Sequence, residues 1–127
     1  MSTRAVGTQA EDFAAHFLQQ QGIRILARNY YTPYGEIDLI AQDGEYLAFV
    51  EVKARRSGSI TRPAEAVDRR KQRRIIRSAV CYCVEQPQQL QPRFDVFEIV
   101  MGKGSPFSVQ SCQYIKNAYE VTNDESF

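Results

Sequence analysis

Apolar residues in the first third of the chain change from a helical spacing to an extended one. They recur every three or four positions along the first twenty residues, which predicts a helix over residues 9–21. Thr8 and Glu11 form a capping-box pattern at its start, and Gly22 follows as its stop signal.

Three β-rich runs follow this helix. Residues 23–30 predict a strand that turns at residues 31–35. Residues 36–41 and 45–54 flank Asp43-Gly44, and this arrangement predicts a β-hairpin. Both faces of the hairpin are apolar, with Ile37, Leu39, Val50 and Val52 on one and Ile40, Leu47 and Phe49 on the other. Because a sheet buried on both faces needs covering elements, the pattern favours an α/β fold over a one-sided meander.

The second half of the chain predicts one long helix and two more strands. Asp68 can cap a helix that runs to about Glu85, and strands over residues 93–101 and 107–115 come after it. The predicted order is therefore α-β-β-β-α-β-β in a single domain, residues 1–127. We expect the polar tail from about residue 120 to fray.

The composition argues against several classes of protein. One His and three Cys give no ligand spacing typical of zinc, no disulfide framework and little basis for a Ser-His-Asp triad. No apolar run approaches the ~18 residues of a membrane-spanning helix, and the first residues lack the apolar stretch of a secretory signal. We expect a cytoplasmic protein with no membrane partner, whose chemistry rests on carboxylates and cations.

Charge is distributed unevenly along the chain. The chain has 16 basic and 15 acidic residues, but residues 53–77 hold ten of the basic ones and only two of the acidic ones. That stretch carries a formal charge of +8, and the rest of the chain carries −7. This distribution predicts that one region of the protein binds a polyanion.

The predicted hairpin brings several carboxylates onto one face of the sheet. If Asp43-Gly44 is a two-residue turn, Glu36 lies opposite Glu51 and Asp38 lies opposite Phe49. Asp38 and Glu51 are then diagonal neighbours, with backbones roughly 7–8 Å apart. The residues on this face are Glu36, Asp38, Glu51 and Lys53.

Clustered carboxylates on a half-buried strand repel one another unless a cation joins them. Mg²⁺ suits such a cluster, because it takes one or two carboxylates and completes its shell with water and substrate phosphate. Lys53 on the same face could orient the attacking water or stabilise charge on the phosphate. With the basic stretch holding a nucleic-acid backbone, the pattern favours metal-assisted phosphodiester hydrolysis.

The same residues carry a family resemblance. Asp38, twelve intervening residues and Glu51-Val52-Lys53 resemble the D…ExK core of the PD-(D/E)xK nuclease superfamily. Nearly the whole chain is similar to the YraN-like family of small bacterial proteins. The segments that carry this second resemblance are Gly35-Glu36-Ile37-Asp38-Leu39-Ile40, Phe49-Val50-Glu51-Val52-Lys53, Val67 with Lys71-Gln72, Arg93-Phe94-Asp95-Val96 and Ile115-Lys116-Asn117-Ala118-Tyr119.

The resemblance implies a restriction-endonuclease-like fold, with a mixed central β-sheet flanked by helices, similar to that of archaeal Holliday junction resolvases. It implies metal ligation by Asp38, Glu51 and the Val52 carbonyl, and it makes Lys53 the motif lysine. Glu11 matches a helix acid that completes such sites, and Gln72 matches a glutamine of related exonuclease-like members. Two departures are Ile37 in place of the motif proline and Ile76 in place of an aromatic residue.

We therefore expect a Mg²⁺- or Mn²⁺-dependent endonuclease acting on DNA, with branched or structured DNA as a candidate substrate. The catalytic candidates are Asp38, Glu51, Lys53 and Glu11, with Glu36 as a further candidate metal ligand. The candidates for nucleic-acid binding are Arg55, Arg56, Arg69, Arg70, Lys71, Gln72, Arg73 and Arg74. A homodimer would supply the two sites needed to cut two strands at once.

Two alternatives stay open on the sequence alone. One is a nucleic-acid-binding or scaffold module with a nuclease-like fold that does not cleave, and its binding would depend on salt but not on a metal. The other is a protein-interaction module in which the basic helix meets an acidic protein.

Overall fold

The computed structural model of the chain describes residues 3–58, 68–104 and 107–121. Its seven elements are α1 (Thr3–Gln20), β1 (Arg24–Thr32), β2 (Gly35–Asp43), β3 (Tyr46–Arg56), α2 (Arg69–Glu85), β4 (Gln91–Met101) and β5 (Val109–Tyr119). The predicted order α-β-β-β-α-β-β is confirmed. Residues 122–127, most of the predicted frayed tail, lie outside the described residues.

The five strands form one mixed sheet in the order β1-β2-β3-β4-β5. Neighbouring strands are antiparallel except β3 and β4, which pair in parallel from Tyr46–Gln91 to Arg56–Met101. A parallel pair needs a crossover long enough to return the chain, and α2 lies in that connection. Its start is capped as predicted, because the Asp68 carboxylate accepts the backbone N–H of Lys71 at 2.9 Å.

The two helices cover opposite faces of the sheet, as the two-sided apolar pattern predicted. On the α1 side the largest buried side chains are Leu18, Leu39, Val50, Phe97 and Ile99. On the α2 side they are Ile37, Ile40, Leu47, Phe49, Ile76 and Val96. Burial of this kind contributes roughly 1.5–3 kcal/mol per large apolar side chain, so the two apolar layers hold the sheet between the helices.

The first helix is longer than the capping-box pattern predicted. It begins at Thr3, so Thr8 lies within it and Glu11 is not the third residue of the helix. Once a helix has nucleated, each further residue adds a hydrogen bond, and the helix extends past the predicted cap. Its predicted end is confirmed: Gly22 has φ +81°, and the N–H of Ile23 donates to the Leu18 carbonyl at 3.0 Å.

The hairpin register differs from the predicted one by two residues. Asp43 pairs with Tyr46, so the two-residue turn is Gly44-Glu45 rather than Asp43-Gly44. Gly44 has φ +60°, which suits a type II′ turn with glycine first. The Asp43 carboxylate is bound to Arg93 from β4, an interaction between distant residues that no local turn pattern reveals.

The predicted division of apolar side chains between the faces is wrong at Ile37. Ile37 packs with Ile40 on the α2 side, whereas Leu39 packs on the α1 side. Two residues three apart share a face only if the strict alternation of the strand is interrupted between them. The interruption lies at Asp38, whose carboxylate takes the N–H of Val52 at 2.8 Å.

No helix in the part of the chain that the structure describes is both long enough and apolar enough to cross a membrane.

Candidate active site

The interruption of β2 opens a small pocket between the sheet and α2. Its volume is about 190 Å³. The residues that line it are Gly35, Glu36, Asp38, Glu51, Lys71, Arg74 and Ile75. Three of the predicted carboxylates, Glu36, Asp38 and Glu51, therefore line one pocket, although the pairing of β2 with β3 differs from the predicted one.

Asp38 is the carboxylate with the most unfavourable surroundings. Burial and the nearby Glu51 raise its pKa from 3.8 to about 8, and Glu11 and Glu36 add to the rise. The hydrogen bond from the Val52 N–H opposes this shift without overcoming it. Asp38 is therefore held in a place where its own negative charge is costly.

Glu11 of α1 and Glu36 of β2 lie beside Asp38. One carboxylate oxygen from each of the three residues lies within 4.8 Å of the other two. The Asn29 amide joins the two glutamates, because its Nδ2 donates to Glu11 Oε1 and to Glu36 Oε1, each at 2.8 Å. An amide is neutral, so this bridge positions the carboxylates without cancelling their charge.

Asn29 has no predicted role, and the sequence offers only a weak indication of one. Its φ of +50° is uncommon outside glycine, and asparagine tolerates that conformation better than most residues. The contact that gives Asn29 its importance joins β1 to α1 and β2. Such contacts between elements cannot be found from local pattern.

Glu51 differs from Asp38 in having cations against it. Only 6% of its surface is exposed, and Lys71 Nζ lies 2.5 Å and Lys53 Nζ 3.5 Å from its Oε1. Burial and the neighbouring Lys71 lower the pKa of Lys53. The pKa of Lys71 is raised on balance, because its bonds to Glu51 and Lys53 outweigh the lowering effect of burial. Lys71, predicted to grip phosphates, thus lies inside the pocket.

The other candidates for nucleic-acid binding lie in two places, and Arg56 lines a separate pocket with Val6, Met101 and Phe107 on the α1 side of the sheet. Arg55 and Arg56 lie at the end of β3, and the remaining ones lie on the first turns of α2. Among the latter, the exposed residues are Arg69, Arg70, Arg73 and Arg74, and Gln72 is partly buried. Arg74 also lines the pocket, so these exposed arginines of α2, which we call the basic face, adjoin the pocket.

The donor atoms of the pocket fit a hard divalent cation. Glu11, Glu36 and Asp38 offer carboxylate oxygens, which Mg²⁺ and Mn²⁺ prefer, and no Cys or His belongs to this group of described residues. A cation there would relieve the repulsion that raises the pKa of Asp38. Glu51 is a fourth carboxylate, bound by Lys71 rather than grouped with the other three.

The chain matches known proteins over most of its length. The sequence profile of the "Uncharacterised protein family UPF0102" matches residues 10–99. A UPF0102 protein of Dictyoglomus thermophilum is 42% identical over 120 residues, covering 94% of this chain and all of the relative. One of Symbiobacterium thermophilum is 47% identical over 120 residues, covering 94% of this chain and 99% of the relative. One of Nocardia farcinica is 48% identical over 103 residues, covering 80% of each chain.

Proposed function

The chain belongs to the uncharacterised protein family UPF0102, and we propose that it is a nuclease that hydrolyses DNA phosphodiester bonds with Mg²⁺ or Mn²⁺. The observation that carries the proposal is the setting of Asp38. Its partly buried carboxyl lies among Glu11, Glu36 and Glu51, has a pKa raised to about 8, and adjoins a basic face. A carboxylate with a strongly shifted pKa beside a cleft is typical of a functional site.

The family resemblance supports the same proposal. Asp38 and Glu51-Val52-Lys53, which match the D…ExK core of the PD-(D/E)xK superfamily, come together at this pocket. The order of elements also agrees with the restriction-endonuclease-like core that the resemblance implies. Membership of that superfamily is part of the proposal.

In the proposed reaction Asp38, Glu11 and Glu36 would hold the cation, and Glu51 and the Val52 carbonyl would be the further ligands that the motif implies. A bound divalent cation would polarise the phosphate and supply a hydroxide-like nucleophile at neutral pH. Lys53, whose pKa burial and the neighbouring Lys71 lower, lies 3.5 Å from Glu51 and is suited to orient the attacking water. The basic face would hold the flanking phosphates by charge, independently of sequence.

The decisive experiment is cleavage of labelled linear duplex, single-stranded, flap and four-way-junction DNA in Mg²⁺, Mn²⁺ or EDTA. We expect metal-dependent cutting that Asp38→Asn reduces by roughly a hundred-fold or more. Asp43→Asn, which removes a carboxylate outside the pocket, is the matched control and should cut normally. Unchanged cutting by Asp38→Asn, or equal cutting in EDTA, would contradict the proposed chemistry.

One observation favours a non-catalytic nucleic-acid-binding module as the second candidate. Lys71 already neutralises Glu51 at 2.5 Å, so one of the two motif carboxylates has a partner without a metal. This candidate predicts salt-dependent DNA binding that is the same in Mg²⁺ and EDTA and unaffected by Asp38→Asn. A protein-interaction module, the third possibility, would bind no DNA at physiological salt.

The proposal also includes a cytoplasmic location and a homodimer. One pocket cuts one strand at a time, so cutting two strands of a duplex or a junction at once needs two copies of the chain. Sedimentation of the protein alone and with four-way-junction DNA would test the second expectation. A monomer in both conditions would overturn the homodimer and leave one strand cut at a time.

A further inference from the structure

A groove with apolar walls lies on the outer side of α2, separate from the acidic pocket. Its volume is about 500 Å³, and we call it the outer groove. The residues that line it are Tyr34, Arg77, Val80, Cys81, Val84 and Glu85. Among the described residues no large apolar side chain is more exposed than Val84, at 73%, and Tyr34 is 47% exposed. An apolar surface left open to water in this way is typical of a site where another molecule binds.

The second half of α2 is apolar on both of its sides. Its inner side, with Ile75, Ile76 and Ala79, packs against the sheet. Its outer side carries Val80 and Val84, which are one helical turn apart and follow the arginines of the basic face. The exposed side of a helix in a monomer is ordinarily polar. In the part of the chain that the structure describes, nothing covers the apolar outer side of this helix half.

Two opposite charges lie at the ends of the outer groove, at equal distances from its centre. Arg77 precedes Cys81 by four residues and Glu85 follows it by four. Arg77 and Glu85 are thus about 12 Å apart along the helix, too far to pair with each other. Arg77 lies over the Tyr34 ring, 5.8 Å from its centroid, and Glu85 accepts the hydroxyl of Tyr30 at 2.9 Å. The two charges are therefore held at the rim of the groove.

This arrangement of charges is complementary to itself. When two copies of a helix pack antiparallel about a two-fold axis, a residue before the axis lies level with the residue equally far after it in the other copy. With the axis at Cys81, Arg77 lies level with Glu85 of the partner subunit, and Glu85 with Arg77 of the partner subunit. One exposed surface thus makes two ion pairs with a second copy of itself, around the apolar side chains of both copies.

The basic face requires the antiparallel arrangement. Arg74 precedes Cys81 by seven residues, so two antiparallel copies of Arg74 lie roughly 20 Å apart along the helices. That distance exceeds the Debye length of about 10 Å at 0.1 M salt, so repulsion between the two basic faces is largely screened. Parallel helices would instead place the two basic faces side by side. The antiparallel pair also leaves both acidic pockets open, at opposite ends of the interface.

We propose that the outer groove is the interface of a homodimer in which the α2 helices of two copies pack antiparallel about a two-fold axis at Cys81. A second copy fits the groove better than DNA does, because the formal charges of Arg77 and Glu85 cancel and a polyanion needs an excess of cations. The interface identifies where the homodimer of the proposed function assembles. Its use in cutting two strands rests on that function, whereas the assembly does not.

The test is the oligomeric state, measured by sedimentation over a series of protein concentrations in EDTA and without DNA. Arg77→Glu and Glu85→Arg each place like charges opposite one another at both ends of the interface. We expect each to raise the dissociation constant of the dimer about ten-fold or more. Mixing the two variants restores both ion pairs in a heterodimer, so the mixture should associate like the wild type. Because Arg77 and Glu85 cannot reach each other within one chain, recovery on mixing identifies a contact between chains.

The apolar part of the interface has its own variant and a matched control. Val84→Lys puts a charge into the groove and should also raise the dissociation constant about ten-fold or more. Tyr46→Ser changes a side chain that is 43% exposed but lines a different pocket, with Arg93 and Tyr119, and should associate like the wild type. An equal effect of the two substitutions would show that the dimer does not use the outer groove.

The native cysteines locate the axis. Cys81 and Cys83 are both partly buried, but Cys83 packs against the core on the inner side of α2. A short bis-maleimide should therefore join two wild-type chains through Cys81. We expect Cys81→Ser to abolish this cross-linked dimer and Cys83→Ser to retain it, as judged by denaturing electrophoresis. A cross-link that persists in Cys81→Ser would overturn the proposed axis.

The interface and the nuclease can fail separately. A wild type that is monomeric at every concentration, or a dimer that neither single charge variant weakens, would overturn the interface and leave the acidic pocket to its own test. The same holds if the two charge variants stay apart on mixing. A dimer that follows the charge variants but cuts no DNA in any metal would confirm the interface and remove the nuclease.

Discussion

Two clusters of buried charge lie in the same sheet, and they are built on opposite principles. One is the acidic pocket around Asp38. The other, which we call the arginine network, consists of Arg93, Asp95 and Tyr114 with Asp43 and Lys116. Both take carboxylates out of water. Only the arginine network supplies each carboxylate with cations and donors.

Asp95 shows what a satisfied buried carboxylate looks like. It is fully buried, and Arg93 grips it through Nε at 3.0 Å and Nη2 at 2.9 Å. The Tyr114 hydroxyl and the Asn117 N–H donate to it as well, the latter at 2.8 Å. The pKa of Arg93 is raised on balance, because Asp95 and Asp43 outweigh the effect of burial. This cluster has the features of a structural element.

Asp38 has the opposite surroundings. Its only hydrogen-bond donor among the described contacts is the Val52 N–H, while three carboxylates lie around it. The comparison teaches that burial of a carboxylate does not by itself distinguish a structural site from a functional one. The difference lies in whether the surrounding groups lower the energy of the charge or raise it.

The largest effect should come from breaking the arginine network. Asp95→Asn keeps the shape of the side chain but leaves a buried guanidinium without its main counter-charge. We expect the free energy of unfolding to fall by roughly 3–5 kcal/mol, measured by urea denaturation. A loss below about 1 kcal/mol would mean that the network stabilises no more than an exposed ion pair does.

The matched change in the pocket should have the opposite sign. Asp38→Asn keeps an acceptor for the Val52 N–H and removes an unfavourable charge, so we expect the protein to gain about 1–3 kcal/mol at pH 9. Because the folded-state pKa of about 8 exceeds the ordinary 3.8, the wild type loses stability as pH rises between these values. The gain should therefore vanish below about pH 4.

Addition of a divalent cation tests whether the charge of Asp38 serves to bind a metal. Mg²⁺ at about a hundred times its Kd should stabilise the wild type by roughly 2.7 kcal/mol, which thermal unfolding would detect. The same addition should leave Asp38→Asn unchanged, and it should stabilise Asp43→Asn as it does the wild type. Equal stabilisation of all three proteins would place the cation elsewhere.

The fold could be predicted from sequence because its determinants are local or periodic. Asp68 caps α2 as expected, Gly22 ends α1, and the apolar pattern on both strand faces required a helix on each side of the sheet. The proximity of Asp38 and Glu51 could also be predicted, because they lie on adjacent strands of one hairpin. Most element ends were predicted to within two residues; the exceptions are the start of α1, six residues earlier than predicted, and the end of β5, four residues later.

The detailed site could not be predicted, because distant residues build it. Asn29 bridges Glu11 and Glu36 from β1, and Lys71 reaches Glu51 from α2. The capping-box pattern gave Glu11 a local role that the longer α1 does not require. The predicted hairpin register was wrong for the same reason. The dipeptide Asp43-Gly44 does not show whether the aspartate belongs to the turn or to the strand, and its contact with Arg93 is between distant residues.

The smallest of the expected effects comes from Asp43, a peripheral member of the arginine network. Its carboxylate lies 2.9 Å from both Lys116 Nζ and Arg93 Nη2, so it ties β2 to β5 and β4. These cations, Lys116 first, hold the pKa of Asp43 below 3.8.

Asp43→Asn should lower the free energy of unfolding by about 1 kcal/mol at neutral pH. The pKa of Asp43 is lower in the folded state than in the unfolded state. The stability difference is therefore fully present above about pH 4 and disappears as the pH falls through the folded-state pKa. Urea denaturation of both proteins at pH 7 and at pH 3 would measure it, and a cost that persists unchanged at the lower pH would assign the effect to packing rather than to charge.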